Sequence, residues 1–194
     1  MENVKLFNKY NEGKHWESHP TVYAEEFLSF LKEKNFTGNI VDLGCGNGRD
    51  VDVFNRKGFK VLGIDKSEEN IKNAKRNFPN YKFEIQDIEK LKIKNNSVGA
   101  VFMINVIHYI NKVKSIEEIY RILEDGGYFY IHFNLSITDS EGNIDYKDSE
   151  EEILKLISSF KIIERERIER VDKIPKMHKH IILKLILRKW QKRN

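Results

Sequence analysis

The chain is expected to fold as an α/β protein, a doubly wound and mostly parallel seven-stranded sheet with an antiparallel last strand. Three observations carry that expectation. Short β-rich apolar runs recur at residues 38–43, 59–64, 81–86, 98–105, 127–135, 161–170 and 180–188. Helical periodicity fills most of the gaps, and strand–helix alternation requires a parallel sheet covered on both faces. The last two runs break that rule. Only residues 171–179 separate them, too few for a crossover carrying a helix, so they pair antiparallel.

The helices follow in order. Thr21, after Pro20, starts one through Tyr23, Phe27, Phe30 and Leu31. A second follows a glycine-rich turn, buries Val51 and Phe54, and ends at Gly58. Ser67 caps a third whose first turn holds Glu68 and Glu69 and whose inner face is Ile71, Ala74 and Phe78. A fourth reads Ile116, Ile119, Tyr120 and Leu123, and stops at Gly126 and Gly127. A fifth starts at Ser149, with Glu150 to Glu152 at the positive end of its dipole, and buries Ile153, Leu156, Ile157 and Phe160.

Length and composition fit a single domain over residues 1–194, with an N-terminal helical cap over 1–35. At 40% hydrophobic and 33% charged, the chain has the balance of a soluble globular protein. No apolar run approaches the roughly 20 residues that span a bilayer, and the start is too polar for a signal peptide. No membrane partner is expected, and the default address is cytoplasmic. A single cysteine, Cys45, excludes an internal disulfide and a cysteine-based zinc cluster. Charge is uneven: from Lys161 onward there are twelve Lys/Arg against four Asp/Glu, so the rest of the chain is net acidic. A basic block can attract nucleic acid; a solvated strand edge guarded by lysines is the favoured reading.

The chemistry concentrates at three strand ends. Asn39 to Gly48 is a buried strand entering a turn of Gly44, Gly46 and Gly48, followed by a helix. Glycines let the backbone turn tightly and approach a ligand, and a helix start offers N–H groups to a carboxylate or phosphate. The spacing is G-x-G-x-G, whereas the dinucleotide fingerprint places its third glycine one residue later. Asp65 ends the second strand, where an acceptor for ribose hydroxyls belongs, with Lys66 beside it. Asp87 follows the third strand, and Ile88 can pack on an adenine face.

Residues 39–109 resemble the core of the class I S-adenosylmethionine methyltransferases, a Rossmann-like family. Val41 to Gly48 is similar to its first motif, Ile64-Asp65 to its second and Gln86-Asp87-Ile88 to its third. Phe102 to Tyr109 resembles the fourth-strand region of its small-molecule branch, and Leu123 to Tyr128 the turn before its fifth strand. The resemblance implies S-adenosyl-L-methionine as cofactor. Gly44, Gly46 and the Cys45 amide would line its methionine end, with Asp42 near the amino group. Asp65 would take the ribose hydroxyls, Asp87 and Ile88 would frame the adenine, and Asn105 and Val106 would pass beside the sulfonium. The family's antiparallel seventh strand agrees with the close terminal pair.

Because the sulfonium activates the methyl group, the protein has only to align donor and acceptor and, for some acceptors, remove a proton. No Asn/Asp-Pro-Pro-Tyr/Phe follows the fourth strand, and no second cysteine exists for cytosine attack. His108, at the ligand edge, is the catalytic candidate, expected to titrate near neutral pH. His132 lies in the fifth strand, while antiparallel pairing brings His178 and His180 to the rim of His108. Two histidines are half a zinc ligand set, so no metal is expected. Tyr10, His15, Trp16 and Pro20 form an aromatic segment; in related small methyltransferases such a segment covers the donor, and a hydrophobic clasp is the alternative. Asn47 to Asp50, Trp16 and the late histidines resemble the tellurite-resistance and thiopurine types. The expected function is methyl transfer to a small molecule. The alternatives are an RNA or protein methyltransferase using the basic C-terminal face, a non-catalytic S-adenosylmethionine-binding module and a nicotinamide oxidoreductase. The acceptor and the oligomeric state are not legible in the residues.

Overall fold

A computed structural model describes residues 19–173 and 176–190. Its elements run α1 (Val22–Glu33), β1 (Ile40–Leu43), α2 (Arg49–Arg56), β2 (Val61–Asp65), α3 (Glu68–Asn77), β3 (Lys82–Ile85) and β4 (Val98–Met103). There follow α4 (Lys112–Ile122), β5 (Leu123–Asp139), β6 (Ile144–Lys147), α5 (Glu150–Leu156), β7 (Phe160–Asp172) and β8 (His178–Lys189). The strands form one sheet in the order β3-β2-β1-β4-β5-β8-β7, with β6 paired to β5 off that path. Pairings among β1 to β5 are parallel, and β8 runs antiparallel to both of its neighbours.

Local chemistry sets the helix starts. Thr21, Ser67 and Ser149 each accept a hydrogen bond from the amide three residues on, satisfying one of the donors a helix start leaves open. Every residue of β1 and β4 is buried, as expected of central parallel strands covered on both faces. Their alternate side chains feed two cores. Val41, Leu43, Val101 and Met103 join Ile116, Ile119 and Ile122 of α4 and Ile153 of α5 on one face. Ile40, Ala100 and Phe102 join α1, α2 and α3 on the other. There the Phe27 ring of α1 lies 5.2 Å from Tyr130, 6.0 Å from Phe102 and 6.3 Å from Phe54. Burying one such side chain contributes roughly 1.5–3 kcal/mol, which fixes α1 as a layer of the sheet. No helix among the described residues is long and apolar enough to cross a membrane.

Three details differ from the sequence expectation. The sheet has eight strands, because β5 runs well past the end of β4 and leaves an edge that β6 occupies at Ser136 to Thr138. The fourth helix ends at Ile122, since Leu123 is already extended and paired with Val98. Gly126, at φ 82°, then sits in a bulge within β5. The terminal hairpin is also tighter than expected: β7 continues to Asp172 and β8 begins at His178.

Candidate active site

Strand order reverses between β1 and β4, the switch point at which open α/β sheets bind ligands. The loops after these strands border a cleft of about 570 Å³. Asp42, Gly44, Cys45, Gly46, Asp65, Lys66, Asp87, Ile88, Asn105 and Val106 all line it, as does His108.

The glycine loop is pinned to the end of β2. Gly44 N and Cys45 N both donate to Ile64 O, at 2.7 and 3.0 Å, and Gly46 N donates to Asp65 Oδ2 at 3.0 Å. The Cys45 amide thereby closes the loop while Cys45 lines the cleft. Gly44 has φ 77°, and a Cβ there would lie 2.2 Å from Val106 Cγ2. Gly46, at φ 55°, differs: a Cβ built on it meets nothing within 4 Å, so its free side faces open cleft. Asp65 also accepts from Ser67 N at 2.8 Å and Asn70 Nδ2 at 3.3 Å, so it ties loop, strand and helix together. Asp87 is exposed, and its Oδ1 accepts from Glu89 N.

Asp42 stands apart. It is 3% exposed, and its Oδ2 has no hydrogen-bond partner among the described residues. Burial first, then the Asp50 carboxylate, holds its carboxyl well above the usual range. A buried acceptor of this kind costs free energy until a donor or cation reaches it. Beside it, Asp50 accepts from Thr21 N at 2.7 Å and Arg49 Nη1 donates to His19 O, which brings the start of α1 to the cleft. Pro20 belongs to this stretch; Tyr10, His15 and Trp16 lie outside the described residues.

The far end of the cleft is a polar network from three strands, β5, β7 and β8, and the loop after β4. Asn105, which follows β4, takes φ 57°, a left-handed conformation asparagine tolerates better than most residues. Its Oδ1 lies 3.5 Å from Arg170 Nη1. Arg170 Nη2 is 3.0 Å from Asp172 Oδ2, and His180 Nε2 is 3.3 Å from the same oxygen. His180 Nδ1 donates to Asn134 Oδ1 at 3.0 Å, while Asn134 Nδ2 donates toward the His108 ring at 3.2 Å. The His108 ring is 3% exposed and lies 3.9 Å from Tyr109. Burial, and then the charges of His180, Arg170 and Lys112, lower its pKa to about 3. The expected near-neutral titration is thereby corrected, because an enclosed imidazole cannot afford a charge. His178 and His180 do reach this rim, whereas His132 packs edge-on against Tyr23 at 4.3 Å, outside the cleft lining.

Asn134, Arg170 and Asp172 escaped the sequence reading. The signal was present in the hairpin: extending its pairing by two residues at each end sets Asp172 opposite His178.

Residues 41–131 match the family model described as a methyltransferase domain. Malonyl-[acyl-carrier protein] O-methyltransferase of Hamiltonella defensa is 31% identical over 114 residues, covering 53% of this chain and 44% of that relative. The chain spans about half the length, or less, of the first curated relatives it matches. The crystal structure of TehB from Haemophilus influenzae superposes with TM-score 0.73 at 18% identity, covering 96% of this chain and 67% of TehB. An S-adenosylmethionine-dependent methyltransferase from Clostridium acetobutylicum gives TM-score 0.73 at 15% identity, covering 97% and 99%. Sequence match, relatives and fold agree with the geometry of the strand ends: residues 41–131 are similar to a methyltransferase domain, and the chain has the fold of S-adenosylmethionine-dependent methyltransferases, which implies S-adenosylmethionine as cofactor.

Proposed function

We propose that the chain transfers the methyl group of S-adenosylmethionine to a small acceptor carrying a sulfur, oxygen, nitrogen or heavier chalcogen nucleophile. The observation that carries this reading is the unpartnered, buried Asp42 Oδ2 in a cleft that continues into the enclosed His108–Asn134–His180 recess. Asp42 is suited to the cofactor's ammonium, which would supply the missing donor. Gly44 and Cys45 shape the loop beneath the methionine end, and Gly46 leaves it room. Asp65 keeps lone-pair capacity for ribose hydroxyls beside its three internal bonds. Lys66 and Asp87 border the nucleoside, Ile88 offers an apolar surface to the adenine, and Asn105 and Val106 flank the sulfonium. The bound cofactor supplies an already activated methyl group. What remains for the protein is alignment, and the recess provides it with side chains at most 5% exposed: His108, Asn134, His178 and His180. His108 meets the acceptor as a neutral imidazole that orients; it is too weakly basic to be a strong general base.

The basic C-terminal block gives little support to an RNA acceptor. Arg165 pairs with Glu150, Lys179 with Glu169, and Lys184 with Glu26 and Glu166, so much of its charge is met by acids. Salt-dependent RNA binding would revive that alternative.

Calorimetry with four ligands tests the proposal. S-adenosylmethionine and S-adenosylhomocysteine are expected to bind at micromolar levels, and NAD and NADP much more weakly. A screen of thiols, phenols, amines and chalcogen oxyanions then identifies the acceptor. Nicotinamide binding without adenosyl-sulfur binding would overturn the reading; donor binding with no acceptor methylated would leave a binding module.

A further inference from the structure

We propose that Asp172, His178 and His180 form a site for one divalent transition-metal ion at the acceptor end of the cleft. The register of the last hairpin builds it. Asp172 faces His178 and Arg170 faces His180 across β7 and β8, and residues two apart on a strand share a face. One ligand-capable atom from each of Asp172, His178 and His180 lies within 4.8 Å of the others.

Tautomers decide what those atoms are. His178 Nδ1 lies 2.6 Å from Lys176 O, and His180 Nδ1 lies 3.0 Å from Asn134 Oδ1. Both partners are oxygens that only accept, so each Nδ1 carries the proton and donates it. The Nε2 of a neutral His180 ring is then an unprotonated lone pair, and the His178 Nε2 is the ring atom left to serve as a ligand. Both Nε2 atoms face Asp172 Oδ2, at 3.7 and 3.3 Å, and a carboxylate is itself only an acceptor. His180 is 5% exposed, and its Nε2 makes no hydrogen bond among the described residues. The His180 lone pair and the Asp172 carboxylate thus face each other with no proton between them, and His178 stands within reach of both. A cation resolves that conflict. Arg170 engages Asp172 at one oxygen, but a carboxylate has lone pairs for a guanidinium and an ion together.

The surroundings match a metal site in a further respect. Histidine ligands characteristically donate their second ring N–H to a carbonyl or carboxylate, which fixes ring and tautomer. Lys176 O and Asn134 Oδ1 do this here. Two imidazoles and one carboxylate suit zinc, cobalt or nickel over magnesium or calcium, and three protein ligands leave a coordination position open. All three residues line the cleft, so that position can take an acceptor through a thiolate or deprotonated hydroxyl, its proton passing to water. This consequence rests on the proposed methyl transfer; the metal site does not.

The test titrates Zn²⁺ and Co²⁺ into the chelator-stripped full chain by calorimetry and follows the Co²⁺ absorption spectrum. One ion per chain is expected, with affinity reduced at least about tenfold in His178→Ala, His180→Ala and Asp172→Asn. Asn134→Leu, which removes only the support of His180, should weaken binding by about 10–100-fold. S-adenosylhomocysteine affinity without metal should be unchanged in His178→Ala, so loss of donor binding in the wild type would sink the function while leaving the site standing. Substoichiometric binding, or binding indifferent to all four substitutions, would overturn the proposal. Should the variants not fold, nitrogen-15 NMR of the wild-type histidines decides: a proton on His180 Nε2 that Zn²⁺ does not displace would also overturn it.

Discussion

Along β1 to β3 the donor end of the cleft is assembled from residues near one another in sequence: Gly44 and Gly46 follow one strand, Asp65 ends the next, and Asp87 follows the third. At the acceptor end, Asn134, Arg170, Asp172 and His180 come from three long strands and meet only because those strands pair in one register. The first region is held by backbone conformation, with loop amides bonded to Ile64 O and Asp65. The second is held by side chains that satisfy, or fail to satisfy, one another. Substitutions should therefore act through shape and main chain at the donor end, and through protonation and partnering at the acceptor end.

The largest expected effect is at Gly44. Gly44→Ala places a Cβ 2.2 Å from Val106 Cγ2 at φ 77°, combining overpacking with left-handed strain. A loss of roughly 2–4 kcal/mol is expected in denaturant unfolding. Gly46→Ala meets no atom within 4 Å and carries only the conformational term, about 1 kcal/mol, while its methyl intrudes on the donor. Equal destabilisation by the two would mean that the loop is not clamped by Val106.

A smaller effect separates His132 from the cleft. His108 and His132 both have pKa values lowered to about 3, chiefly by burial. Protons then bind the unfolded chain, with its ordinary histidine value near 6.5, more readily than the folded one. Stability accordingly rises with pH across that window and falls as the solution is acidified below about 6.5. Each histidine should remove about 0.7 kcal/mol between pH 7 and pH 6. His132→Gln should reduce that slope and leave donor affinity unchanged, because His132 lies outside the cleft lining. An undiminished slope would assign the pH dependence to other groups.

These differences also explain what the sequence disclosed. Gly44, Asp65 and Asp87 were legible because each sits at a strand end whose position follows from local periodicity and turn chemistry. Asp65 was legible as a ligand-facing acid but not as the acceptor for Gly46 N, Ser67 N and Asn70 Nδ2, since that role depends on how the loop folds back. Asn134 sits in an apolar strand where a polar residue could have pointed either way, and a bulge beside it shifts the register. Asp172 lay beyond the expected strand end by two residues, enough to hide its pairing with His178. β6 was missed because Ile144 is exposed and its few residues carry no alternating pattern.

Asp42 offers the most direct measurement. Asp42→Asn keeps the shape of the side chain and removes its charge, and the proposed role predicts opposite changes in binding and stability. Calorimetry with S-adenosylhomocysteine should show affinity reduced by about 1.5–3 kcal/mol, the scale of a hydrogen bond to a charged group. Unfolding at pH 7 should show stability unchanged or raised, because a buried carboxylate with an unpartnered oxygen has been relieved of its desolvation cost. Undiminished donor affinity, or a parallel fall in stability, would contradict the assignment of Asp42 to the cofactor's ammonium.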